Sequence, residues 1–298
     1  MPTADQKSGA CKATFLLLVL TAERKNMNSF MSWVGGKKNL RDEVLARFPP
    51  YYERYIEVFG GAGWVLFHKP PGADFEVYND FNSNLTNLYR CVRDKPNRLK
   101  YKLRYVLDSR EDFDLTSSLH KRGILPRLYD VDRAAKFYQL IRYSYASGLD
   151  SFGSQPHSMW SDFPMIDLAA RRLQKVVVEN KDFEKLIRQY DRPVSFFYCD
   201  PPYFATENYY KDVGFTAKDH IRLRDALLDI KGRFLVSYND CPEIREIWDK
   251  PNTHIEEISR LNNLAQRYDA GCQYGELLIS NYDTSERAKA IRQLSLFD

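Results

Sequence analysis

Long apolar runs, metal-ligand patterns and paired cysteines are all scarce in this chain of 298 residues. The apolar run at 13–20 is too short to cross a bilayer as a helix, which takes about 20 residues. The five histidines show no HxxxH spacing. The cysteines form no CxxC pair and are Cys11, Cys91, Cys199, Cys241 and Cys272. We therefore expect no membrane span, no bound metal and a reducing, cytoplasmic compartment.

An excess of charge of one sign is also missing, because 44 Lys and Arg residues stand against 40 Asp and Glu residues, for a formal net charge of +4. Any surface for a nucleic acid must then come from local clustering of basic residues. Two clusters are present, one of Lys100, Lys102, Arg104 and Arg110, the other of Lys121, Arg122 and Arg127. Each is either a solvated helix face or a contact surface for nucleic acid.

The chain length and the apolar content of 44% predict one α/β domain of ordinary size with a smaller insertion. Before that domain, Lys7 and Lys12 precede the apolar run, and this arrangement imitates a short signal peptide. We interpret the segment 1–26 or 1–30 as an extension upstream of the functional domain, which would open at Met27 or Met31.

The most informative block is Cys199-Asp200-Pro201-Pro202-Tyr203-Phe204, which directly follows the apolar run 194–198. Such a run predicts a buried strand, so the block falls at the carboxyl edge of a sheet, where open α/β sheets bind ligands. Each proline fixes φ and lacks an N–H, which holds the backbone in one direction. The Asp200 carboxylate and the Pro201 carbonyl can each accept a hydrogen from one exocyclic amine, while Tyr203 stacks on the ring that carries it. A stiff loop without chemistry is the alternative.

A glycine turn lies earlier in the chain, between a strand pattern at 55–59 and a helix pattern at 64–68. The turn contains Gly60, Gly61 and Gly63. Glycines allow the backbone to approach a nucleotide-like ligand closely. A second strand pattern at 75–79 ends in Asp80, about 20 residues after the glycines, which suits an acceptor for paired ribose hydroxyls. The third glycine of the dinucleotide spacing GxGxxG is missing, so we expect an adenosyl ligand without pyrophosphate.

Upstream of this turn, the segment Trp33-Val34-Gly35-Gly36-Lys37 precedes a helix pattern. Trp33 offers an aromatic face for a base or a sulfonium cation, and Lys37 offers a positive charge for a carboxylate. Taken alone, the segment is better interpreted as a capped turn than as a site.

In this order, the Trp33-to-Lys37 segment, the glycine turn, Asp80 and the DPPY block at 200–203 resemble the Dam-type (D12 class) DNA adenine-N6 methyltransferases. The similarity extends over about residues 31 to 285. It implies a Rossmann-like, S-adenosylmethionine-dependent methyltransferase sheet with an inserted, mainly helical target-recognition region. It also implies that the methyl group of S-adenosylmethionine is transferred to adenine N6 in double-stranded DNA, by base flipping and direct transfer without a metal.

The resemblance assigns roles to individual residues by their position. Catalysis falls on Asp200, Pro201, Pro202 and Tyr203. Contacts with the cofactor fall on Trp33, Lys37, Phe59, Gly60, Gly61, Gly63, Asp80 and Asp200. In this assignment the glycine turn surrounds the methionine part of the cofactor and Asp80 anchors its ribose.

The resemblance implies a catalytic domain at 31–95 and 176–285 and a DNA-binding insertion at 96–175. The extension at 1–30 precedes the catalytic domain, and a tail at 286–298 follows it. Double-stranded DNA is the expected partner, and a cognate restriction endonuclease that acts separately is a further one. Similar chemistry leaves open the methylation of cytosine N4, of a glutamine amide or of RNA. A DNA-binding protein on an inactive methyltransferase scaffold would keep the same fold.

An aromatic loop within the insertion has two interpretations. Its members are Tyr143, Tyr145, Phe152, His157, Trp160 and Phe163. Exposed aromatic side chains there could wedge into DNA when the target base leaves the stack. Alternatively, the same residues form the core of the insertion.

Overall fold

The computed structural model describes residues 27–153, 155–205, 214–261, 273–287 and 289. The predicted extension, apart from its last residues, and most of the predicted tail lie outside the described residues. Within the described part, seven strands form one sheet. They are β1 (Arg54–Glu57), β2 (Phe75–Asn79), β3 (Val176–Glu179), β4 (Ser195–Cys199), β5 (Arg233–Asn239), β6 (His254–Leu261) and β7 (Gln273–Ser280).

The strands stand in the order β3-β2-β1-β4-β5-β7-β6. The first five are parallel, so their carboxyl ends meet at one edge of the sheet. β7 runs antiparallel between β5 and β6. The predicted Rossmann-like methyltransferase sheet is confirmed. Its strand order reverses direction between β1 and β4, and open α/β sheets bind ligands at the carboxyl edge of such a point.

Helices pack on both faces of this sheet. In chain order they are α1 (Arg41–Ala46), α2 (Trp64–His68), α3 (Ser83–Asp94), α4 (Pro96–Leu103), α5 (Arg110–Lys121), α6 (Asp130–Tyr143), α7 (Phe163–Leu173), α8 (Phe183–Tyr190), α9 (Ala217–Leu228) and α10 (Pro242–Trp248). The strand patterns at 55–59, 75–79 and 194–198 are confirmed as β1, β2 and β4, and the helix pattern at 64–68 is confirmed as α2.

Alternate residues of each strand point to opposite faces, which divides the core into two layers. On β4, for example, Phe196 and Tyr198 pack with the helices between β2 and β3, whereas Phe197 and Cys199 pack with α8, α9 and α10. β4 is buried along its whole length, as expected for a strand covered on both faces. The residue that follows it is therefore held at a fixed place on the sheet edge.

Five helices, α3 to α7, lie between β2 and β3. The predicted insertion at 96–175 contains α4 to α7, and its central helix α6 packs against α3, α4 and α5. A buried ion pair fastens this insertion to the sheet. The guanidinium of Arg172 on α7 donates to both carboxylate oxygens of Glu76 on β2, at 2.5 and 3.0 Å. Lys69 pairs with the same carboxylate. The helical insertion and the sheet thus share one core.

Residues just before Met31 also belong to this core. Ser29 Oγ donates to the carbonyl of Ala62 in the glycine turn at 2.5 Å. The buried Phe30 ring lies 5.2 Å from the ring of Tyr89, centre to centre. Of the two predicted openings of the functional domain, Met27 keeps these contacts and Met31 removes them.

Candidate active site

Asp200 stands at the carboxyl edge of the sheet, directly after β4 and between its neighbours β1 and β5. Pro201 and Pro202 follow it and are both buried. Because neither proline has an N–H to continue the ladder, the chain leaves the sheet at this point. The predicted position of the DPPY block at the sheet edge is confirmed.

Two donors fix one oxygen of the Asp200 carboxylate. Lys37 Nζ donates to Oδ1 at 2.6 Å, and Ser237 Oγ on β5 donates to the same Oδ1 at 3.1 Å. Among the described residues no donor contacts Oδ2. The Asp200 side chain is 17% exposed and lines the cavity described below. One oxygen is therefore held by the protein, and the other is available to a ligand.

Burial raises the pKa of Asp200 above its ordinary value, and the charge and hydrogen bond of Lys37 oppose that rise. The Lys37 side chain is itself only 4% exposed, so little water screens the pair. Lys37 thus favours the ionised form of Asp200, the form that can accept hydrogens from an amine.

The hydroxyl of Tyr203 accepts a hydrogen from Lys37 Nζ at 2.5 Å and donates to Glu276 Oε2 on β7 at 2.8 Å. The Lys37 ammonium also lies 4.5 Å from the centre of the Tyr203 ring. Burial raises the pKa of Tyr203 well above its ordinary value, so the phenol keeps its proton. A single network therefore joins Lys37 to the carboxylates of Asp200 and Glu276.

The glycine turn has the close packing that requires glycine. A Cβ on Gly60 would lie 2.2 Å from the ring of Tyr78, and Gly63 has φ of +64° where α2 begins. The hydroxyls of Tyr78 and Tyr89 both donate to the carbonyl of Gly61, at 2.7 and 3.1 Å. The rings and hydroxyls of Tyr78 and Tyr89 therefore fix the backbone conformation of the turn.

Asp80 follows β2, and its carboxylate faces the same turn. Its Oδ2 accepts the Gly61 N–H at 3.0 Å, and its Oδ1 accepts the Asn82 N–H at 2.8 Å. Burial raises the pKa of Asp80 to about 6, against these two hydrogen bonds. Asp80 therefore lies directly beside the glycine turn.

One cavity of about 1040 Å³ connects these elements. Of the predicted site residues, those that line it are Trp33, Lys37, Phe59, Gly60, Gly61, Asp80, Asp200 and Pro202. Gly63, Pro201 and Tyr203 do not line it. Gly63 instead shapes the turn, and the Tyr203 hydroxyl points into the Lys37 network.

An aromatic wall of the cavity joins the predicted Phe59 to two residues that were not predicted from the sequence, Phe183 and Phe215. The ring centres of these three residues lie 5.6 to 5.9 Å apart. Phe183 opens α8, and Asp182 caps that helix by accepting the Glu184 N–H at 3.1 Å. The sequence signal that could have indicated this residue is the pair Asp182-Phe183, a helix cap and the residue after it, between the β-branched run of β3 and an amphipathic helix.

Glu57, the last residue of β1, is a second unpredicted cavity residue. It is 2% exposed, and the Tyr55 hydroxyl donates to its Oε2 at 2.6 Å. Burial raises the pKa of Glu57 to about 8, and the nearby Asp200 charge adds to that rise. A neutral, proton-bearing carboxyl therefore lies in the cavity wall at neutral pH.

The insertion closes the other side of the cavity with His120 and Lys121 of α5 and with the loop 145–151. In that loop Ala146, Ser147 and Leu149 all have positive φ, an uncommon conformation for residues other than glycine. Tyr145 is 63% exposed at this place. Strained backbone of this kind tends to gather at functional sites.

The aromatic loop divides between its two interpretations. Tyr143 is buried, and Phe152 and Phe163 pack against the core. Tyr145 and Trp160 are exposed, at 63% and 57%. Part of the loop is thus core, and part of it remains open to a partner.

The two basic clusters also differ. In the first, Lys100 pairs with Asp167 at 2.5 Å and Lys102 pairs with Asp132 at 2.8 Å, so much of its charge is compensated within the insertion. In the second, Lys121 lines the cavity, and its pairing with the exposed Asp150 is longer, at 3.7 Å. The second cluster is the better placed to meet a substrate.

The part of the chain that the structure describes contains no group of three or more His, Cys, Asp or Glu side chains that could hold a metal ion. None of the helices in that part has the length and apolar character needed to cross a membrane.

Fold and site together define a class of protein. It is an α/β enzyme in which the glycine turn, the carboxylate of Asp80 and the DPPY block meet at one cavity. A family model for the D12 class N6 adenine-specific DNA methyltransferases matches residues 33–264. The chain belongs to this family and is an adenine-specific DNA methyltransferase. The predicted family is confirmed, and adenine is favoured over the alternative targets.

Relatives agree with this assignment. The chain is 29% identical over 287 residues to the type II methyltransferase M1.LlaDCHI of Lactococcus lactis subsp. cremoris, covering 89% of this chain and 99% of that protein. It is 26% identical over 266 residues to the DNA adenine methylase of Escherichia coli K12, covering 79% and 89%. It is also 26% identical over 259 residues to the DNA adenine methylase of Vibrio cholerae O395, covering 79% and 90%. Family membership implies S-adenosylmethionine as methyl donor and DNA as partner.

Proposed function

We propose that the enzyme binds S-adenosylmethionine in the cavity beside the glycine turn and holds a flipped-out adenine of duplex DNA against Asp200. The observation that carries this proposal is the Asp200 carboxylate, which lines the cavity and has Oδ1 fixed by Lys37 and Ser237, while no donor among the described residues contacts Oδ2. An oxygen that is rigidly placed and open to a ligand suits an amine that must be aimed at a methyl group.

The residues of the cavity fit an adenosyl ligand without phosphates. The aromatic wall of Phe59, Phe183 and Phe215 offers apolar faces for the adenine ring. Asp80 offers a carboxylate for ribose hydroxyls, and it would repel a phosphate at that place. Trp33 packs beside Gly61 and offers its ring to the sulfonium.

Bound S-adenosylmethionine supplies an electrophilic methyl group. Asp200 Oδ2 and the Pro201 carbonyl accept the two hydrogens of adenine N6 and stabilise the positive charge that grows on this nitrogen. Pro202 keeps the block rigid, and the Tyr203 ring, which does not line the cavity, supports the base from behind the cavity wall. Lys37, which the resemblance assigned to the cofactor, also holds Asp200 in its reactive orientation. The transfer is direct and uses neither a covalent enzyme intermediate nor a metal. As the bond from the methyl carbon to N6 forms, its bond to sulfur breaks, so S-adenosylhomocysteine leaves as a neutral thioether and N6 then releases one proton to water.

The DNA approaches from the side of the insertion, which the proposal treats as the target-recognition region at 96–175. Lys121 and Tyr145, at the mouth of the cavity, support this direction. The ammonium suits a phosphate, and an exposed ring suits the gap that a flipped base leaves in the stack. The domain at 31–95 and 176–285 then carries the chemistry.

A cognate restriction endonuclease that acts separately on the same DNA site is a proposed partner, and the cytoplasm is the proposed compartment. The type II methyltransferase among the relatives supports the first of these. An extract of source cells should cleave DNA that lacks methylation at the mapped site and spare DNA that carries it.

Transfer of labelled methyl groups to high-complexity unmethylated DNA tests the proposal, with digestion to nucleosides to identify N6-methyladenine. Asp200→Ala is expected to lower the rate by about a thousandfold or more while leaving the protein folded. Asp249→Ala, at an exposed residue after α10, is the control and should match the unmodified enzyme. Near-normal activity of Asp200→Ala would remove this residue from the mechanism.

A further inference from the structure

Glu276 is a charged residue in an unusual place, because its side chain is fully buried on a strand that is paired on both sides. It lies on β7, opposite Asn239 near the end of β5, and therefore at the same sheet edge as Asp200. The neighbouring Gly275 carbonyl accepts the Asp240 N–H at 3.0 Å, which holds this part of β7 against the chain that leaves β5. Burial of a carboxylate is costly unless positive charge or donors compensate it.

Two residues of the proposed site contact Glu276. Its Oε2 accepts the Tyr203 hydroxyl at 2.8 Å and lies 3.9 Å from Lys37 Nζ. The same ammonium lies 2.6 Å from Asp200 Oδ1. Lys37 thus sits between two carboxylates, and the Tyr203 hydroxyl bridges Lys37 to the second of them.

This arrangement bears on how much charge Asp200 can offer to a substrate. A buried lysine paired with Asp200 alone would cancel most of the carboxylate charge at the point where positive charge must be stabilised. With Glu276 present, two carboxylates share one ammonium, so a net negative charge remains close to the reacting nitrogen.

We propose that Glu276 is a positioning residue for methyl transfer, which holds the Tyr203 hydroxyl and shares the Lys37 ammonium so that Asp200 keeps both its orientation and its charge. This inference rests on the proposed function of Asp200. It gives the tyrosine of the DPPY block a role for its hydroxyl in addition to the role of its ring.

The proposal also predicts a change in pH dependence. The ionisable groups that face Asp200 are Lys37, Glu57, Tyr198, Tyr203 and Glu276. The charge of Glu276 acts to raise the pKa of Asp200. Replacing that charge by a neutral side chain should therefore move the acid limb of the rate profile to lower pH, which a purely structural role would not do.

The experiment is a double-mutant cycle on Glu276→Gln and Tyr203→Phe, two changes that preserve side-chain shape. Each single variant is expected to lower kcat about tenfold, as for a lost hydrogen bond to a charged group, with the KM for S-adenosylmethionine nearly unchanged. Both changes act on the same contact, because glutamine keeps an acceptor for the Tyr203 hydroxyl but removes the charge, and phenylalanine removes the hydroxyl. The double variant should therefore also lose about tenfold and not a hundredfold. Glu257→Gln, on the exposed side of the neighbouring β6, is the matched control and should leave kcat unchanged.

Other outcomes overturn the inference in distinguishable ways. Additive losses in the cycle, or a full kcat in Glu276→Gln with the acid limb unmoved, would contradict the positioning role. If Glu276→Gln fails to fold, as judged by thermal melting, then a full kcat in Tyr203→Phe contradicts it instead. An unmodified enzyme that transfers no methyl group to adenine would refute the proposed function itself.

Discussion

Replacement of Glu57 by glutamine should change how the stability of this enzyme depends on pH. Glu57 is buried at the end of β1, and burial raises its pKa from an ordinary value of 4.5 to about 8. The folded protein therefore keeps a proton on this carboxyl at neutral pH. The unfolded chain releases the same proton near its ordinary pKa.

The sign and size of the effect follow from this difference. Since the unfolded chain binds fewer protons between pH 4.5 and about 8, the free energy of unfolding falls as the pH rises through that window. One unit of pKa difference corresponds to about 1.4 kcal/mol, so the whole window amounts to about 5 kcal/mol from this one group. Glutamine is neutral at every pH, and its carbonyl can still accept the Tyr55 hydroxyl.

Urea unfolding of Glu57→Gln and of the unmodified enzyme at pH 5, 7 and 8.5 measures the effect. The two proteins should be similar at pH 5, and the variant should become the more stable one by several kcal/mol at pH 8.5. Glu243→Gln, at an exposed residue of α10, should follow the unmodified enzyme throughout. Parallel pH curves for Glu57→Gln and the unmodified enzyme would show that Glu57 is already ionised in the fold, and the reasoning would fail.

Two further predictions concern the aromatic wall of the cavity and the first residues of the domain. Phe183→Ala should weaken S-adenosylmethionine binding about tenfold by removing a ring from the aromatic wall, and an unchanged Kd in calorimetric titration would contradict that placement. The free energy of unfolding should be about 3 kcal/mol lower for a chain that begins at Met31 than for one that begins at Met27, because the shorter chain lacks the buried ring of Phe30. Equal urea midpoints for the two chains would contradict the core role of Phe30.

The parts of the site that could be predicted from the sequence are those in which a local pattern determines the geometry. The apolar run before Asp200 had to be a buried strand, and a buried parallel strand brings its next residue to the ligand edge. The glycine turn and Asp80 follow the next two strands in the same way. Their meeting in one cavity then follows from the parallel pairing of β1 with β2 and β4.

The aromatic wall was missed because its signal is weak at the level of the sequence. β3 is a four-residue edge strand that is only alternately buried, and α8 spans eight residues, so neither has a long periodic pattern. Phe183 is one aromatic residue at the start of such a helix, and many aromatic residues in that position serve only the core. Its place in the aromatic wall becomes visible when Phe59 and Phe215 are seen beside it.

The Lys37 network lay beyond sequence reasoning for a different reason. Lys37 and Asp200 are separated by 163 positions in the chain, and Tyr203 and Glu276 by 73. No periodicity connects residues so far apart. Their contact depends on β7 entering the sheet antiparallel beside β5, ahead of β6, which brings Glu276 to the edge where β4 ends. The antiparallel strand therefore does more than complete the sheet: it supplies the second carboxylate that determines how strongly Lys37 can neutralise the first.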